Sequence, residues 1–247
     1  KKITPLAFII KALVSTLKKF PTFNSSIEDI EKGKMTVKKY YHIGVAVDTS
    51  HGLMVPKLRN VNNKNINLIS EELKTLSEKC RNLKIDKKEF FGGSMTITSL
   101  GSIGGSFFTP IINYPEVAIL GVGRSSKKNI YYEDKSQARI MLPLSLSYDH
   151  RIIDGAEAAR FCNELKENLI KIYSNTQSSN IELKEIKRSS EETKDSLIQF
   201  SESTQSNIKA MGESTMSMAN SANFVADSSK DLSATINGFE KSMQEVM

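Results

Sequence analysis

Over residues 5–20 the apolar side chains fall at Leu6, Ile9, Ile10, Leu13, Val14 and Leu17. That spacing draws one face of an α-helix, opened by Thr4 as N-cap with Pro5 at the first position and stopped by Pro21. The period then shortens to two. Ile43, Val45 and Val47 alternate inward within 41–48, and the His51-Gly52 turn leads into Leu53-Met54-Val55-Pro56, which predicts a strand pair. Helical spacing returns at Ile69, Leu73, Leu76, Cys80 and Leu83, with Glu and Lys on the opposite face. Strands are expected again over 94–100, over 117–122, which reads as buried on both faces, and over 140–148. Residues 155–173 predict a closing helix with Ala158, Phe161, Cys162, Leu165, Leu169 and Ile172 inward. Helices and strands interleave, so the expected class is α/β.

After Tyr173 the pattern changes. Residues 174–180 are polar and read as a linker, no proline follows Pro143, and a separate helical tail is expected over 181–247. There Leu197, Met211, Met218, Val225, Leu232, Phe239 and Val246 share one seven-residue register, joined four residues on by Ile208, Ala222, Ile236 and Met243. This is a coiled-coil signal, weakened where Ser190, Thr204, Thr215 and Ser229 occupy the seam. The expected division is therefore 1–173, a linker at 174–180 and the tail. The plainer reading of the tail is an amphipathic helix that oligomerises or docks; in composition it is also vaguely similar to phasin-type granule-coat helices and to receptor coiled coils.

A hydrophobic content of 39% supports a packed core in a chain of 247 residues. The net charge of +6 comes from scattered lysines with no arginine-rich block, which describes a solvated surface and points away from a nucleic-acid partner, while suiting a polyanionic ligand. Cys80 and Cys162 have no metal-type neighbours in the sequence and are expected to be reduced thiols, with no metal site. No apolar run approaches the roughly 18 residues that span a bilayer, and the start does not read as a signal peptide. Abundant Lys, Asn, Ile and Ser fits an AT-rich genome, and a bacterial cytoplasm is expected over a mitochondrial matrix.

The chemically informative stretch is Ser147-Tyr148-Asp149-His150-Arg151-Ile152-Ile153-Asp154-Gly155. A histidine at a strand end can be a satisfied buried side chain, or a general base able to take a proton from a thiol. Asp154 opens a helix as Asp154-Gly155-Ala156-Glu157, which is a capping box; the same carboxylate can also fix the loop that aims His150. His42 and His51 lie in or beside the strand pair and read as structural. The glycine-rich runs 101–105 and 121–125 lack the following helix that a phosphate-binding loop needs, so both read as turns or bends.

The run Pro143-Leu144-Ser145-Leu146-Ser147-Tyr148-Asp149-His150-Arg151-Ile152-Ile153-Asp154-Gly155-Ala156 closely resembles the catalytic motif of the dihydrolipoamide acyltransferase components of 2-oxoacid dehydrogenase complexes. Lys2-Ile3-Thr4-Pro5, Phe23-Asn24-Ser25-Ser26, Gly44-Val45-Ala46-Val47-Asp48 and Gly92-Gly93 extend the resemblance over most of 1–173. Pro110-Ile111-Ile112-Asn113 and the segment Pro115-Glu116-Val117-Ala118-Ile119-Leu120-Gly121-Val122 are most similar to the acetyltransferase of pyruvate dehydrogenase, with succinyl and branched-chain types as rivals.

The resemblance implies a chloramphenicol-acetyltransferase-like mixed sheet flanked by helices, and a homotrimer with active sites between subunits that assembles into a larger core. It implies that His150 deprotonates coenzyme A for attack on an S-acetyldihydrolipoyl thioester, with Asp154 as structural partner. It also places Thr98, beside Ser99, where the family carries an oxyanion-holding serine. The lipoyl group would arrive on a domain outside this sequence. The decarboxylase and dihydrolipoamide dehydrogenase components are the further partners that the resemblance implies. Family members begin with lipoyl and subunit-binding domains, and the first strand and helix of the catalytic domain are also missing from the pattern, so an N-terminally truncated catalytic domain is expected. Asp134-Lys135-Ser136 lies at an internal turn and is rejected as a lipoylation site. The alternative function is an oligomeric scaffold whose tail recruits a partner or a granule surface.

Overall fold

The computed structural model describes residues 3–29, 31–132 and 134–246, with side chains as far as residue 238. The chain divides into two compact units, Lys1–Gln177 and Ser178–Met247. The first unit runs α1 (Pro5–Lys19), β1 (Ser25–Asp29), β2 (Lys34–Val37), β3 (Ile43–Val45), β4 (Val47–Thr49), β5 (Gly52–Met54), β6 (Lys57–Leu58), α2 (Ile66–Arg81), β7 (Met95–Ser99), β8 (Ala118–Val122), β9 (Ser126–Tyr132), β10 (Lys135–Met141), β11 (Leu144–Tyr148) and the beginning of α3 (Gly155–Val246). The central sheet has the order β11-β8-β7-β3-β6. Its middle strands β8, β7 and β3 are parallel, whereas β11 and β6 close the edges antiparallel. This is a mixed α/β sheet.

The helix at the start forms as its spacing predicts: Thr4 is extended, Pro5 sits in the first turn, and Ile9, Ile10, Leu13, Val14 and Leu17 are buried. All five residues of β8 are buried, which accounts for an unbroken apolar run where most strands alternate. Phe23 stacks on Phe161 at 4.0 Å between ring centroids and Phe20 meets the same ring edge-on at 5.7 Å, tying the end of α1 to the first turns of α3. Each large side chain buried in this way contributes about 1.5–3 kcal/mol.

Four expectations change. The strand expected over 140–148 is two strands, because Pro143 has no N–H for a ladder and instead offers its carbonyl to Gly123 N–H at 3.0 Å. Upstream of that break lies a hairpin of two seven-residue strands, β9 with β10, that sequence patterning does not reveal because nearly all of its side chains are exposed. Leu83 is not on the buried face of α2: the helix ends at Arg81, and Leu83 adopts φ 54 and is exposed. Cys80 is buried, but Cys162 is exposed, one position past the face carried by Phe161.

The stretch 174–180 is also helical, continuous with α3 on both sides. It contains neither glycine nor proline, and its hydroxyl and amide groups bond back by one turn: Ser174 Oγ to the Lys171 carbonyl, Thr176 Oγ1 to the Ile172 carbonyl, and Gln177 Nε2 to Tyr173 Oη. In the second unit the helix exposes every described side chain, Leu197 and Met211 of the predicted seam included; Phe239, Met243 and Val246 lie outside the described side chains. No described helix is long and apolar enough to cross a membrane.

Candidate active site

The segment after β11 is a tight turn pinned at both ends. Asp149 N–H donates to the Val117 carbonyl at 2.8 Å, and the Asp149 carbonyl accepts from Ile152 and Ile153 N–H at 3.1 Å each. Ile153 is fully buried and anchors the turn to the core. Asp154 Oδ1 then accepts from Glu157 N–H at 2.6 Å and caps α3, which is the capping role its sequence context predicts. A cap of this kind is worth about 1 kcal/mol.

Between those anchors His150 is exposed. Its ring leans over Tyr148, 5.9 Å between centroids and tilted by 34°. Neither ring nitrogen is engaged in a hydrogen bond among the described residues. The other two histidines differ from it. His42 accepts Asn60 N–H on Nδ1 at 3.0 Å and lies 4.3 Å from the Tyr40 ring, and burial pushes its pKa below the usual imidazole value; His51 is exposed in the turn between β4 and β5.

Asp149 and Arg151 were not singled out by sequence reasoning, yet they brace the turn. Arg151 Nε and Nη2 reach the two Asp149 carboxylate oxygens at 2.9 and 2.5 Å, and Arg151 N–H adds a bond at 3.1 Å. The Arg151 guanidinium holds the Asp149 carboxyl below the usual carboxylate range. Such a planar two-point pair fixes geometry as well as charge.

Thr98 lies elsewhere in the sheet. It pairs with Gly121, and Gly121 pairs with Ser145, so Thr98 is level with the beginning of β11 while His150 follows its end. At about 3.3 Å per residue and 4.8 Å per strand, the two are separated by roughly 16 Å along the strands and 10 Å across them. One copy of the chain does not bring them together. Thr98 is partly buried and shares its strand face with Thr96, whereas Ser99 shares the other face with the buried Ile97.

Thr96 itself belongs to a buried polar cluster that the sequence does not announce. Lys57 Nζ meets Glu116 Oε1 at 2.5 Å with both side chains 1% exposed, and Thr96 Oγ1 donates to Glu116 Oε2 at 2.6 Å. A Cβ on Gly93 would come within 2.8 Å of Lys57 Nζ, so glycine there leaves room for the buried ammonium. Beside this pair Lys38 Nζ donates to the Gly93 and Ser25 carbonyls at 2.6 and 3.3 Å, and burial lowers its pKa to about 8, opposed by Glu116 and assisted by Lys57.

Because the folded chain releases the Lys38 proton near pH 8 and the unfolded chain only near 10.5, the unfolded state binds more protons between those values. Stability contributed at this position therefore rises with pH across that window. Thermal unfolding of the protein and of Lys38→Gln from pH 7.5 to 10.5 is expected to show the protein gaining stability relative to the variant as pH rises; parallel curves would contradict the assignment.

The fold is thus an α/β protein that presents an exposed imidazole on a braced turn at a strand end. Residues 1–177 match the family model for 2-oxoacid dehydrogenases acyltransferase (catalytic domain), and the chain belongs to that family. It is 49% identical over 164 residues to the dihydrolipoyllysine-residue acetyltransferase component of the pyruvate dehydrogenase complex of Haemophilus influenzae, covering 66% of this chain and 29% of that protein. Against the component of the same name from Buchnera aphidicola of Acyrthosiphon pisum it is 52% identical over 161 residues, 65% of this chain and 40% of that one. The chain thus spans well under half the length of these curated relatives.

Among solved structures, dihydrolipoamide acetyltransferase of Azotobacter vinelandii superposes with a TM-score of 0.67 at 47% identity, covering 70% of this chain and 71% of that chain. The cubic core of a pyruvate dehydrogenase multienzyme complex gives the same TM-score at 48% identity and the same coverage. The fold is that of these catalytic cores.

Proposed function

We propose that the chain is the catalytic part of an acetyltransferase that moves an acetyl group between S-acetyldihydrolipoyl-lysine and coenzyme A. One observation carries the reading: the His150 imidazole, with no hydrogen bond among the described residues, stands exposed on a braced turn in a chain of this acyltransferase family. The Azotobacter vinelandii study concerns a serine, a histidine and an asparagine in the catalytic mechanism of that enzyme. The intervals between those three are the intervals between Thr98, His150 and Asp154, so the serine corresponds to Thr98 and the asparagine to Asp154.

In this reading a nitrogen of His150 takes the proton of the coenzyme A thiol. The thiolate attacks the thioester carbonyl, the carbonyl electrons move onto oxygen, and the Thr98 hydroxyl donates to that oxyanion. Collapse breaks the bond to the lipoyl sulfur, which leaves with the proton from the imidazolium. Asp154 acts through the turn by capping α3 and does not touch the reacting atoms. The separation of Thr98 from His150 within one copy supports a site shared by two copies, His150 from one and Thr98 from its neighbour. We infer a trimer within a larger core, served by a lipoyl domain and working with the decarboxylase and dihydrolipoamide dehydrogenase components.

Complementation tests this arrangement. With acetyl-CoA and dihydrolipoamide as substrates, Thr98→Val alone is expected to lose about 10²–10³-fold in kcat, the usual effect of deleting one oxyanion donor. Co-expressed with His150→Ala, it should regain about a quarter of full activity, because random assembly in a closed ring leaves a quarter of the interfaces with both native side chains. Co-assembled but inactive mixtures would refute the shared site.

A further inference from the structure

We propose that residues 196–238 of the second unit, beyond the seam lysines Lys187 and Lys194, form a self-association helix, and that the face exposed there is covered by the same face of a second copy of this chain. Over 196–238 one heptad position carries Leu197, Met211, Met218, Val225 and Leu232, interrupted by Thr204, and the position four residues on carries Ile208, Ala222 and Ile236 in alternation with Ser201, Thr215 and Ser229. All lie on one continuous helix, and the large ones are exposed, Met218 by 68% and Val225 by 66%. A helix this rich in Ser, Thr, Asn and Gly gives up several tenths of a kcal/mol per residue relative to alanine. In proteins most helical stability comes from packing of an apolar face and not from propensity, so burial of such a face is what would hold this one.

Charge identifies the occupant. The six charged residues of the stretch are Glu202, Lys209, Glu213, Asp227, Lys230 and Asp231. None lies on the two seam positions or on the two positions that flank them, although these make up four places in every seven. The flanks hold residues such as Gly212, Ala219, Ser221 and Ala226 at the centre of the stretch. Two copies can therefore approach closely with no like charges opposed and no charge desolvated, and an identical face meets itself under simple rotational symmetry. At 1.5 Å per residue the seam is about 65 Å long, beyond the three to four heptads that sustain a coiled coil.

A lipid surface fits less well. Helices that lie on anionic membranes carry Lys and Arg on the polar face, whereas the outward charges here are four acidic and two basic. The proposal is independent of the catalytic reading, since no residue of the second unit enters the proposed chemistry.

Disulfide trapping in the full chain separates the possibilities. With the exposed Cys162 replaced by serine, Met218→Cys places a thiol on the seam and Asn220→Cys places one on the charged side, two residues away. Mild oxidation is expected to link copies rapidly through position 218 and not above background through position 220. Val225→Asp in the Met218→Cys chain should abolish the link and reduce helicity at 222 nm. Equal trapping at both positions, trapping at neither, or trapping that survives Val225→Asp would overturn the proposal, and in those cases binding to vesicles or to the first unit would be what covers the face.

Discussion

His150→Ala is expected to lower kcat for acetyl transfer by about 10²–10⁴-fold, the range a positioned general base supplies. The argument for a specific loss is structural. The ring is exposed and no hydrogen bond to it exists among the described residues, so its removal takes nothing from the core. The turn is held by other groups: the Asp149–Arg151 pair, the Ile153 side chain and the Asp154 cap. Circular dichroism, thermal midpoint and assembly size should therefore stay at wild-type values while turnover falls. If the alanine variant transferred acetyl groups at the parent rate, the imidazole would not be the base, and the exposed ring would have to be explained by binding.

The second large effect concerns stability. Glu116→Ala would leave the Lys57 ammonium buried without a counter-ion and remove the acceptor of Thr96 Oγ1. Breaking one partner of a buried pair in this way destabilises by roughly 3–5 kcal/mol. At about 2–4 °C per kcal/mol for a unit of this size, the thermal midpoint should drop by about 10 °C. Replacing both partners, Lys57→Met with Glu116→Leu, removes the uncompensated charge and should recover most of the loss, because apolar groups of similar volume can substitute for a buried pair. Urea unfolding of the two single variants and the double variant checks this. A double variant as unstable as either single one would mean that the cluster acts through packing instead of through charge.

The Lys57–Glu116 pair also marks where the sequence stops being informative. A lysine after Pro56 and a glutamate after Pro115 look like ordinary surface residues in one dimension, and their partners are 59 positions apart. What buries them is the placement of β6, β3 and β7 beside the segment that leads into β8. Leu83 and Cys162 depart from their helical patterns for a related reason: the spacing continues to look regular two residues past a helix end or one position off its buried face, and only the packing partner draws the limit. The reverse held at 174–180, where a polar composition reads as a linker but contains no residue that breaks a helix.

Local patterning alone determined the first helix with its Thr4-Pro5 start, the apolar character of β8 and the Asp154 cap of α3, because caps and side-chain periodicity are set by residues a few positions apart. The tertiary structure decided that the His150 ring is exposed, that Lys57 and Glu116 are paired in the interior, and that Thr98 lies at the far end of the sheet from His150. Those outcomes depend on strand order and direction, since the antiparallel setting of β11 against β8 carries the end of one strand away from the end of the other, and no pattern of neighbours in the chain records which strands will lie side by side.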